Sequence, residues 1–485
     1  MYALWDWVQS LPGYGPVLAW GLFGGWLLYV VWLGGWIVLQ KREPVATLSW
    51  LLGLALLPYV GFLIYYLLGP QKIRRHRLRR ARSRLQNDAL GHDLCATACS
   101  PDARELGALA KSATGFAPST ARDVRLLVDG AATYDALIEA IGQARHHVHL
   151  EYYIYTPDHS GGALRDALIA CARRGVKVRL LLDAIGSGKC SRAFLAPLVE
   201  AGGEVAWFHP TRFWRFWSRP WLNMRTHRKI AVIDTRIGFT GGINITDDEN
   251  DRLRSDAYRD LHLRLEGDIV RSLQLVFAED WLYATGQRGF LDDIVQALPP
   301  AEAGPISVQA LTSGPDGAWE PIHRLQVNLI HAARERVWLV TPYFVPGEAA
   351  MMALTSAALA GLEVRLLVPR LSDSRLVTLA ARSYYDDLLA AGVKIHEYGP
   401  RMLHTKALLV DDGSAMLGSA NFDHRSFRLN FEIALLFQDG GVGAELEALI
   451  AGELQTAPQV RDDRARPLLA TRLPESLARL MSPLL

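Results

Sequence analysis

The chain has 485 residues, half of which are hydrophobic, and its formal net charge is +2. A chain of this length exceeds one typical domain and can bury two hydrophobic cores. The balanced charge gives no sign of a nucleic-acid-binding protein. The four cysteines are scattered without a CxxC pair, which disfavours a disulfide framework or a zinc site and fits a reducing compartment.

Two segments without charged residues lie near the N-terminus, at residues 17–39 and 46–68. Each is long enough to cross a hydrocarbon layer of about 30 Å as an α-helix. A cleaved signal peptide is the alternative for the first segment, but no Lys or Arg precedes it, and signal peptides begin with a positive region. Residues Lys41–Pro44 can form the turn, so we predict a transmembrane helical hairpin over residues 1–70.

A dense basic stretch follows the second segment and contains Lys72, Arg74, Arg75, Arg77, Arg79, Arg80, Arg82 and Arg84. By the positive-inside rule, this stretch and everything after it lies in the cytoplasm. The same cluster can attract anionic lipid headgroups, or it can act as a topology signal alone. We expect residues 71–121 to form a basic juxtamembrane segment and a linker with some helix.

The remaining sequence contains an internal repeat. Residues 147–155 match residues 336–344, and residues 175–181 match residues 361–367, with helical patterns between them. Strands that alternate with helices predict an α/β fold with a mostly parallel sheet covered on both faces. The boundary is expected near the Pro-rich residues 298–305.

One motif recurs in both halves of this repeat. The first copy comprises Thr226–Asp234 and Gly241–Asn244, and the second comprises His404–Asp411 and Gly418–Asn421. Both fit HxKxxxxD followed after six residues by G[GS]xN. Two unrelated surface strands would not share five residues at identical spacing, so the copies indicate a duplicated functional unit.

The apolar residues inside each copy predict a buried strand, and Asp412-Gly413 predicts a two-residue hairpin turn. This register pairs His404 with Asn421, Lys406 with Ser419 and, in the first copy, His227 with Asn244. Alternation along the strand then places the His, Lys and Asn side chains on one face. Asp234 and Asp411 lie about 20 Å further along, and we expect them to tie down the turn.

This face suits an anionic phosphoryl group, because lysine and amide groups donate to anionic oxygens and a neutral imidazole can attack phosphorus. The candidate catalytic residues of the two motifs are His227, Lys229, Asp234, His404, Lys406 and Asp411. The candidate phosphate-binding residues are Asn244, Asn421 and Ser419. Asp260 and Glu432 follow the two copies and could orient an imidazole, as the acid of a hydrolytic triad does, or be ordinary strand charges.

Three other features have weaker implications. Aromatic residues between Phe213 and Trp221 alternate with arginines, which fits an interfacial lipid contact, nucleic-acid stacking or a packed loop. Gly186–Lys189 looks like a phosphate loop but lacks the preceding glycine that such a loop requires. The acidic run Asp247–Asp251 is interpreted as a solvated loop and not as a metal site.

The double motif resembles the phospholipase D superfamily, in which both copies meet in one metal-independent site and the reaction passes through a phosphohistidine. Within it, the chain is similar to bacterial cardiolipin synthases with two N-terminal helices. The stretches that carry this resemblance are Arg42–Pro44, Leu57–Phe62, Tyr258–Asp260, Thr341–Phe344, Asn421–Phe427 and Ser482–Leu485.

The resemblance implies two phospholipase D-like α/β/α sandwich domains, at residues 122–297 and 298–485, that share one active site behind the membrane hairpin. It implies that two phosphatidylglycerol molecules form cardiolipin and release glycerol, without a cofactor or metal. We assign the attack on phosphorus to His227 and the acid role to His404, although the symmetry of the pair leaves the opposite assignment open. Lys229, Lys406, Asn244 and Asn421 would hold the non-bridging oxygens.

The expected partners are phosphatidylglycerol and anionic membrane lipids, with a homo-oligomer allowed and no nucleic acid. The expected location is the bacterial inner membrane, with several spans and cytoplasmic catalytic domains. Three alternatives remain open. A phospholipase D would use water as acceptor, a phosphodiesterase acting on nucleic acid would not need the membrane hairpin, and an inactive scaffold would be expected to lose motif residues.

Overall fold

The structure is a computed structural model that describes residues 15–39, 44–57, 61, 101–209, 224–296, 299–300, 302–317, 319–464 and 466–482. The N-terminal helices and the rest of the described chain belong to separate compact units.

The N-terminal unit contains helices α1 (Gly15–Val38) and α2 (Pro44–Leu56). Leu33 and Ile37 of α1 pack against Leu54 of α2, whereas most other apolar side chains of α1 are exposed. Residues Pro16–Val38 are long and apolar enough to cross a membrane, as predicted for the first span. Helix α2 has 13 residues, too few to cross a bilayer alone, and most of the rest of the predicted second span lies outside the described residues.

The second unit begins at residue 101 among the described residues and contains both copies of the repeat. Its strands are β1 (Ser119–Ala121), β2 (Asp123–Val128), β3 (His147–Tyr152), β4 (Lys177–Asp183), β5 (Glu204–Phe208), β6 (Ile230–Ile233), β7 (Ile237–Gly241), β8 (Leu261–Glu266), β9 (Ile306–Ser313), β10 (Arg336–Val340), β11 (Phe344–Val345), β12 (Glu363–Pro369), β13 (Lys394–Tyr398), β14 (Ala407–Val410), β15 (Ser414–Gly418), β16 (Phe422–Asp423) and β17 (Glu432–Gln438).

The helices of this unit are α3 (Pro101–Thr114), α4 (Asp129–Gln143), α5 (His159–Arg173), α6 (Arg192–Glu200), α7 (Ile269–Thr285), α8 (Phe290–Gln296), α9 (Pro321–Ala332), α10 (Glu348–Leu359), α11 (Arg375–Arg382), α12 (Tyr385–Ala390), α13 (His424–Arg428), α14 (Gly440–Thr456) and α15 (Leu473–Leu480). Several begin at a polar cap: the side chains of Asp158, Ser191 and Asp439 accept from the first free N–H groups of α5, α6 and α14.

The strands form two large sheets. The first has the order β2-β8-β7-β6-β3-β4-β5, and the second has the order β1-β9-β17-β15-β14-β10-β12-β13. Strands β3, β4 and β5 are parallel, as are β10, β12 and β13, but the other pairs in both sheets are antiparallel. The prediction of a mostly parallel sheet was therefore wrong. Within each motif hairpin, the three-residue loop is too short for a parallel crossover, so its two strands are antiparallel.

Residues of the predicted linker join the second half. Strand β1 pairs with β9, and Leu106 and Ala110 of α3 are buried in the core of the second half. This segment therefore continues the second sheet, although it precedes the first half in the chain.

Alternate residues of the motif strands serve two different cores. Val232 of β6 and Leu409 of β14 lie in a central core between the sheets, together with α7 and α14. Ala231 faces the opposite side, where α4, α5 and α6 cover the first sheet. Leu408 likewise faces the core that α9 and α10 share with the second sheet. Each sheet is thus buried on both faces, which explains the almost uninterrupted apolar strands.

The hairpin register differs by one residue from the prediction. Val410 pairs with Ser414, and Ile233 pairs with Ile237, so each loop has three residues between paired positions. Asp234, Thr235 and Asp411 adopt positive φ angles of 54°, 52° and 50°. Left-handed residues allow a three-residue loop where Asp-Gly alone suggested two.

Candidate active site

The two motif copies line one cavity of about 650 Å³. His227 and Asn244 come from the first copy, and His404 and Asn421 come from the second. The tyrosine rings of Tyr153 and Tyr258 lie 4.9 and 5.6 Å from the imidazoles of His227 and His404, respectively. The repeat therefore builds a single cavity with an imidazole from each half.

Backbone pairing between the halves positions both histidines. Thr226 forms a parallel bridge with Phe431, and Arg259 forms one with Leu403. The amide of His227 donates to the carbonyl of Phe431 at 2.9 Å, and the amide of His404 donates to the carbonyl of Arg259 at 2.7 Å. The residues that pair with each motif in this way, Phe431 and Arg259, come immediately before Glu432 and Asp260. Each histidine is therefore placed next to the acidic residue of the other half.

The two acidic residues orient the imidazoles in a crossed arrangement. His227 Nδ1 lies 3.0 Å from Glu432 Oε2 of the second half, and His404 Nδ1 lies 2.6 Å from Asp260 Oδ2 of the first half. Both carboxylates are fully buried. An imidazole whose Nδ1–H donates to a carboxylate keeps Nε2 available for chemistry. Neither half alone contains a complete histidine–carboxylate pair.

Burial dominates the protonation behaviour of both histidines. It lowers the pKa of His404 to about 4, helped by Lys406 and opposed by Asp260. It also lowers the pKa of His227, against the opposing effect of Glu432. Burial acts against ionisation of the two acids as well, but nearby positive groups lower the pKa of Asp260 and of Glu432 overall. A neutral imidazole is the form that a nucleophile requires.

The two motif lysines lie behind the histidines. Lys229 Nζ donates to the carbonyl of His227 at 2.8 Å, and Lys406 Nζ lies 3.2 Å from Asp260 Oδ2. Both side chains are buried, and neither lines the cavity. Burial, together with the charge of Lys406, lowers the pKa of Lys229. The lysines therefore act on the cavity through their charge and through the histidines, since Lys406 Nζ also lies 2.8 Å from His404 Nδ1.

The two asparagines have different surroundings. Asn244 Nδ2 donates to Glu249 Oε1 at 2.7 Å, and its amide N–H donates to Glu249 Oε2 at 3.0 Å. In the second half, the amide N–H of Asn421 donates to Ser426 Oγ at 3.2 Å. The Oδ1 atom of Asn421 has no protein partner among the described residues.

Ser419 was predicted to bind the phosphate, but it does not line the cavity. Its hydroxyl donates to the carboxylate of Glu432, and it accepts from the amide of Ile433 at 3.0 Å. The matching position of the first half is Gly242, where a Cβ atom would lie 2.2 Å from Asp260 Oδ1. The shorter Asp260 approaches the backbone so closely that only glycine fits, whereas the longer Glu432 leaves room for a serine.

Asp234 and Asp411 are remote from the cavity. The carboxylate of Asp234 accepts from three successive amides, of residues 145–147, at 2.7 to 2.8 Å. Asp411 accepts from the amides of residues 334–336 at 2.9 to 3.3 Å. Neither lines the cavity. Both therefore fix the hairpin loop to the strand beside it and are not catalytic residues in the sense of contacting a substrate.

Glu249 is a functional candidate that the sequence did not reveal, because it lies inside the run interpreted as a solvated loop. It is 2% exposed and lines the cavity, and burial together with the charge of Asp260 raises its pKa. Its ligand atoms and those of Asp260 and His404 lie within 4.8 Å of one another, close enough to hold a cation. The ammonium of Lys406 already lies 3.2 Å from Asp260.

Comparisons with known proteins agree with this arrangement. The family model described as cardiolipin synthase, PLD-like domain, matches residues 137–281 and again residues 327–452. A relative named cardiolipin synthase 2, from Bacillus anthracis, is 39% identical over 93% of this chain and 89% of its own length. The chain belongs to the cardiolipin synthase family.

Other matches extend this assignment along the chain. A cardiolipin synthase of a Geobacillus species is 39% identical over 94% of this chain and 92% of its own length. A phospholipase D-nuclease N-terminal model matches residues 26–70. The phosphatidylserine synthase of Haemophilus influenzae covers 79% of this chain and 100% of its own, with a TM-score of 0.61 and 15% identity. That structure supports the phospholipase D fold of the two cardiolipin synthase-like domains.

The basic run at residues 72–84 and the aromatic insert at residues 213–221 lie outside the described residues.

Proposed function

We propose that the protein is a membrane-bound cardiolipin synthase that transfers a phosphatidyl group from one phosphatidylglycerol to another through a phosphohistidine. The observation that carries this proposal is the single cavity into which both histidines project, each held by a carboxylate from the opposite half. Two imidazoles beside one phosphate can serve as nucleophile and as general acid.

In the first step, Nε2 of His227 attacks the phosphorus of the donor lipid. A nitrogen–phosphorus bond forms and the bond from phosphorus to the glycerol oxygen breaks. His404 takes up a proton at Nε2 when the anionic phosphate binds beside it, because a nearby negative charge favours the imidazolium, and it gives that proton to the glycerol oxygen. In the second step, His404 takes the proton from a hydroxyl of the second lipid, whose oxygen displaces His227 from phosphorus. Glu432 and Asp260 stabilise the imidazolium forms and hold both rings in place.

Charge on the phosphate oxygens is balanced from two directions. The buried ammonium groups of Lys229 and Lys406 act from behind the cavity floor, and Asn421 and Arg425 line the cavity itself. Such preorganised positive groups stabilise the charge that develops on transferring phosphoryl oxygens. No metal is required on this proposal, because the lysines supply the positive charge.

The membrane assignment is part of the proposal. We infer a hairpin over residues 1–70, a linker over residues 71–121 and two catalytic domains, at residues 122–297 and 298–485, on the cytoplasmic side of the inner membrane. The apolar helix α1 and the match to the N-terminal family model support membrane attachment. The substrate, phosphatidylglycerol, lies in the same membrane.

The purified full-length protein tests this function when incubated with vesicles that contain phosphatidylglycerol labelled in its acyl chains and in its headgroup. We expect one glycerol released for each cardiolipin formed, with and without a chelator. Phosphatidic acid as the main lipid product would instead establish a phospholipase D that uses water. Loss of activity in chelator, restored by one divalent ion, would contradict a metal-independent reaction.

A further inference from the structure

The cavity is built with twofold repetition but is not symmetric in charge. Asp248 lies four residues after Asn244, and Arg425 lies four residues after Asn421. Both of these side chains line the cavity. Equivalent positions of the two halves therefore contribute opposite charges.

A second pair of positions repeats this inversion. Lys189 lies in the loop after β4, and Asp373 lies in the loop after β12, which is the matching strand of the second half. Both line the cavity. Each half thus supplies one basic side chain and, opposite it in the repeat, one acidic side chain. Two further acids, Glu249 and Asp423, also line the cavity, and burial raises the pKa of both.

The positive side chains belong to the end of the cavity that holds His227. The loop that carries Lys189 is fixed to Tyr153, because Ser187 Oγ donates to the carbonyl of Tyr153 at 2.9 Å. After burial and Asp183, the next largest influence on the pKa of the Tyr153 hydroxyl is the charge of Arg425. The ring of Tyr153 in turn lies beside His227.

The negative side chains belong to the end that holds His404. Burial raises the pKa of Tyr258 to about 12, and the next largest causes are the charges of Asp373 and Asp248. Tyr258 lies beside the ring of His404. The Tyr343 hydroxyl donates to Asp373 Oδ1 at 2.7 Å, and the other oxygen of this exposed carboxylate has no protein partner among the described residues.

This polarity matches the two parts of the donor lipid. The anionic phosphate suits the positive end, where the nucleophile attacks. A neutral polyol suits the negative end, because its hydroxyl groups donate hydrogen bonds and a carboxylate is a strong acceptor. In an in-line displacement, the leaving and entering alcohols both occupy the side opposite the nucleophile, which is the side of His404.

We propose that Asp373, with Tyr343 and Tyr258, forms the subsite that binds the glycerol hydroxyls of the leaving and entering alcohols. This inference rests on the proposed phosphatidyl transfer and assigns its alcohol specificity. The free oxygen of Asp373 accepts from a glycerol hydroxyl that does not react, and the reacting hydroxyl then lies at His404. A water molecule or a simple alcohol lacks the second hydroxyl and gains nothing from Asp373.

Headgroup exchange tests this subsite without the second lipid. Full-length protein in phosphatidylglycerol vesicles is supplied with labelled glycerol or with propan-1-ol, which lacks the extra hydroxyls, and both phosphatidyl alcohols are quantified. We expect the wild type to prefer glycerol. Asp373→Asn should reduce that preference by about tenfold, because a neutral amide accepts a hydrogen bond more weakly than a carboxylate does.

Matched variants separate this role from a general loss of activity. Tyr343→Phe leaves the Asp373 carboxylate without its donor and should reduce the preference for glycerol less than Asp373→Asn does. Asp387→Asn removes an exposed carboxylate of α12 that does not line the cavity and should change nothing. An unchanged ratio of the two products in Asp373→Asn would overturn the subsite.

A second substrate distinguishes the two ligands that an acidic subsite could take. Phosphatidylethanolamine presents an ammonium group in place of the hydroxyls. If Asp373→Asn impairs release of ethanolamine while the glycerol preference stays at the wild-type value, the subsite binds an ammonium group and the proposal is wrong. If the wild type transfers no phosphatidyl group to any alcohol, the proposed function itself is wrong. That result differs from an unchanged glycerol preference in Asp373→Asn, which would overturn the subsite alone.

Discussion

At the scale of single residues, the site depends on two carboxylates that each reach across to the histidine of the other half. Asp260 and Glu432 are buried, and each contacts an imidazole Nδ1 at 2.6 and 3.0 Å, respectively. A carboxylate in this position fixes the tautomer and stabilises the imidazolium.

Amide variants of these carboxylates should therefore lose most activity and remain folded. We expect Asp260→Asn and Glu432→Gln each to lower kcat by about 10²- to 10⁴-fold, because an amide can present the wrong hydrogen-bonding partner to the imidazole. Cardiolipin formation measures the loss, and thermal unfolding in detergent verifies the fold. Glu447→Gln, at a partly exposed ion pair with Arg336, is the control. Wild-type rates in both site variants would exclude this role.

The glycine–serine difference between the motifs allows a reciprocal test. Gly242→Ser should nearly abolish activity, since the new Cβ would meet Asp260 Oδ1 at 2.2 Å and displace it from His404. Ser419→Gly only removes a hydrogen bond to Glu432 and should cost about tenfold or less. Kinetics of the two purified variants give the comparison. An active Gly242→Ser protein would show that Asp260 can move without consequence.

At the scale of elements, each motif is a hairpin whose aspartate holds the loop and does not reach the cavity. Asp234 and Asp411 each accept from three successive backbone amides of the neighbouring strand. Both residues have positive φ angles, which asparagine and aspartate tolerate better than most residues.

Removal of one of these carboxylates should cost stability more than chemistry. We expect Asp234→Ala to lower the free energy of unfolding by about 2 kcal/mol or more, since three amides lose a charged acceptor. The activity per folded molecule should stay within a few fold of wild type. Thermal unfolding and kinetics at low temperature measure the two effects. A large fall in kcat with an unchanged unfolding temperature would instead place Asp234 in the chemistry.

The sequence predicted the elements of the repeat well where periodicity was strong. The predicted strands and helices around residues 147–181 and 336–367 are present, and the shared cavity follows from the repeated motif. The hairpin register was off by one residue, because Asp-Gly suggests a two-residue turn and the left-handed Asp411 adds a third position. Glu249 was missed because acidic runs are normally solvated, and only the fold shows that this side chain points inward.

At the scale of the whole molecule, the two halves share both a core and a site. Side chains from both sheets and from α7 and α14 pack in the central core, and each histidine uses an acid from the other half. The sequence suggests two domains. Only the structure shows that the histidine of each domain is held by the carboxylate of the other. Asp260 and Glu432 could be recognised as candidates from their position after each motif, without any indication of which histidine each would contact.

Buried histidines should make the folded protein sensitive to acid. Burial lowers the pKa to about 4 for His147, His404 and His424, and to about 3 for His262. At a pH above the histidine pKa of the unfolded state, about 6.5, neither the folded nor the unfolded state binds these protons, so they do not reduce the free energy of unfolding. As the pH falls below that value the unfolded state takes up protons first, so stability is lost between about pH 6.5 and 4.

Thermal unfolding in detergent as a function of pH measures this loss. Asp423, whose pKa is raised by burial to about 6, works in the opposite direction and offsets part of it. His424→Gln should flatten the slope, because it removes one group that charges on unfolding. A constant unfolding temperature from pH 7 to 5 would contradict the assignment of neutral buried histidines.

The central claim is a covalent phosphatidyl-histidine formed in one site by two histidines of different halves. Its most direct test uses His404→Ala with a phosphatidyl ester of p-nitrophenol, a leaving group that departs without a general acid. We predict that the phosphatidyl adduct accumulates on His227, where mass spectrometry of the peptide locates it, because no base remains to activate the second alcohol. His227→Ala should form no adduct. An adduct on His404 in His227→Ala, or cardiolipin formed by either variant at the wild-type rate, would contradict the account.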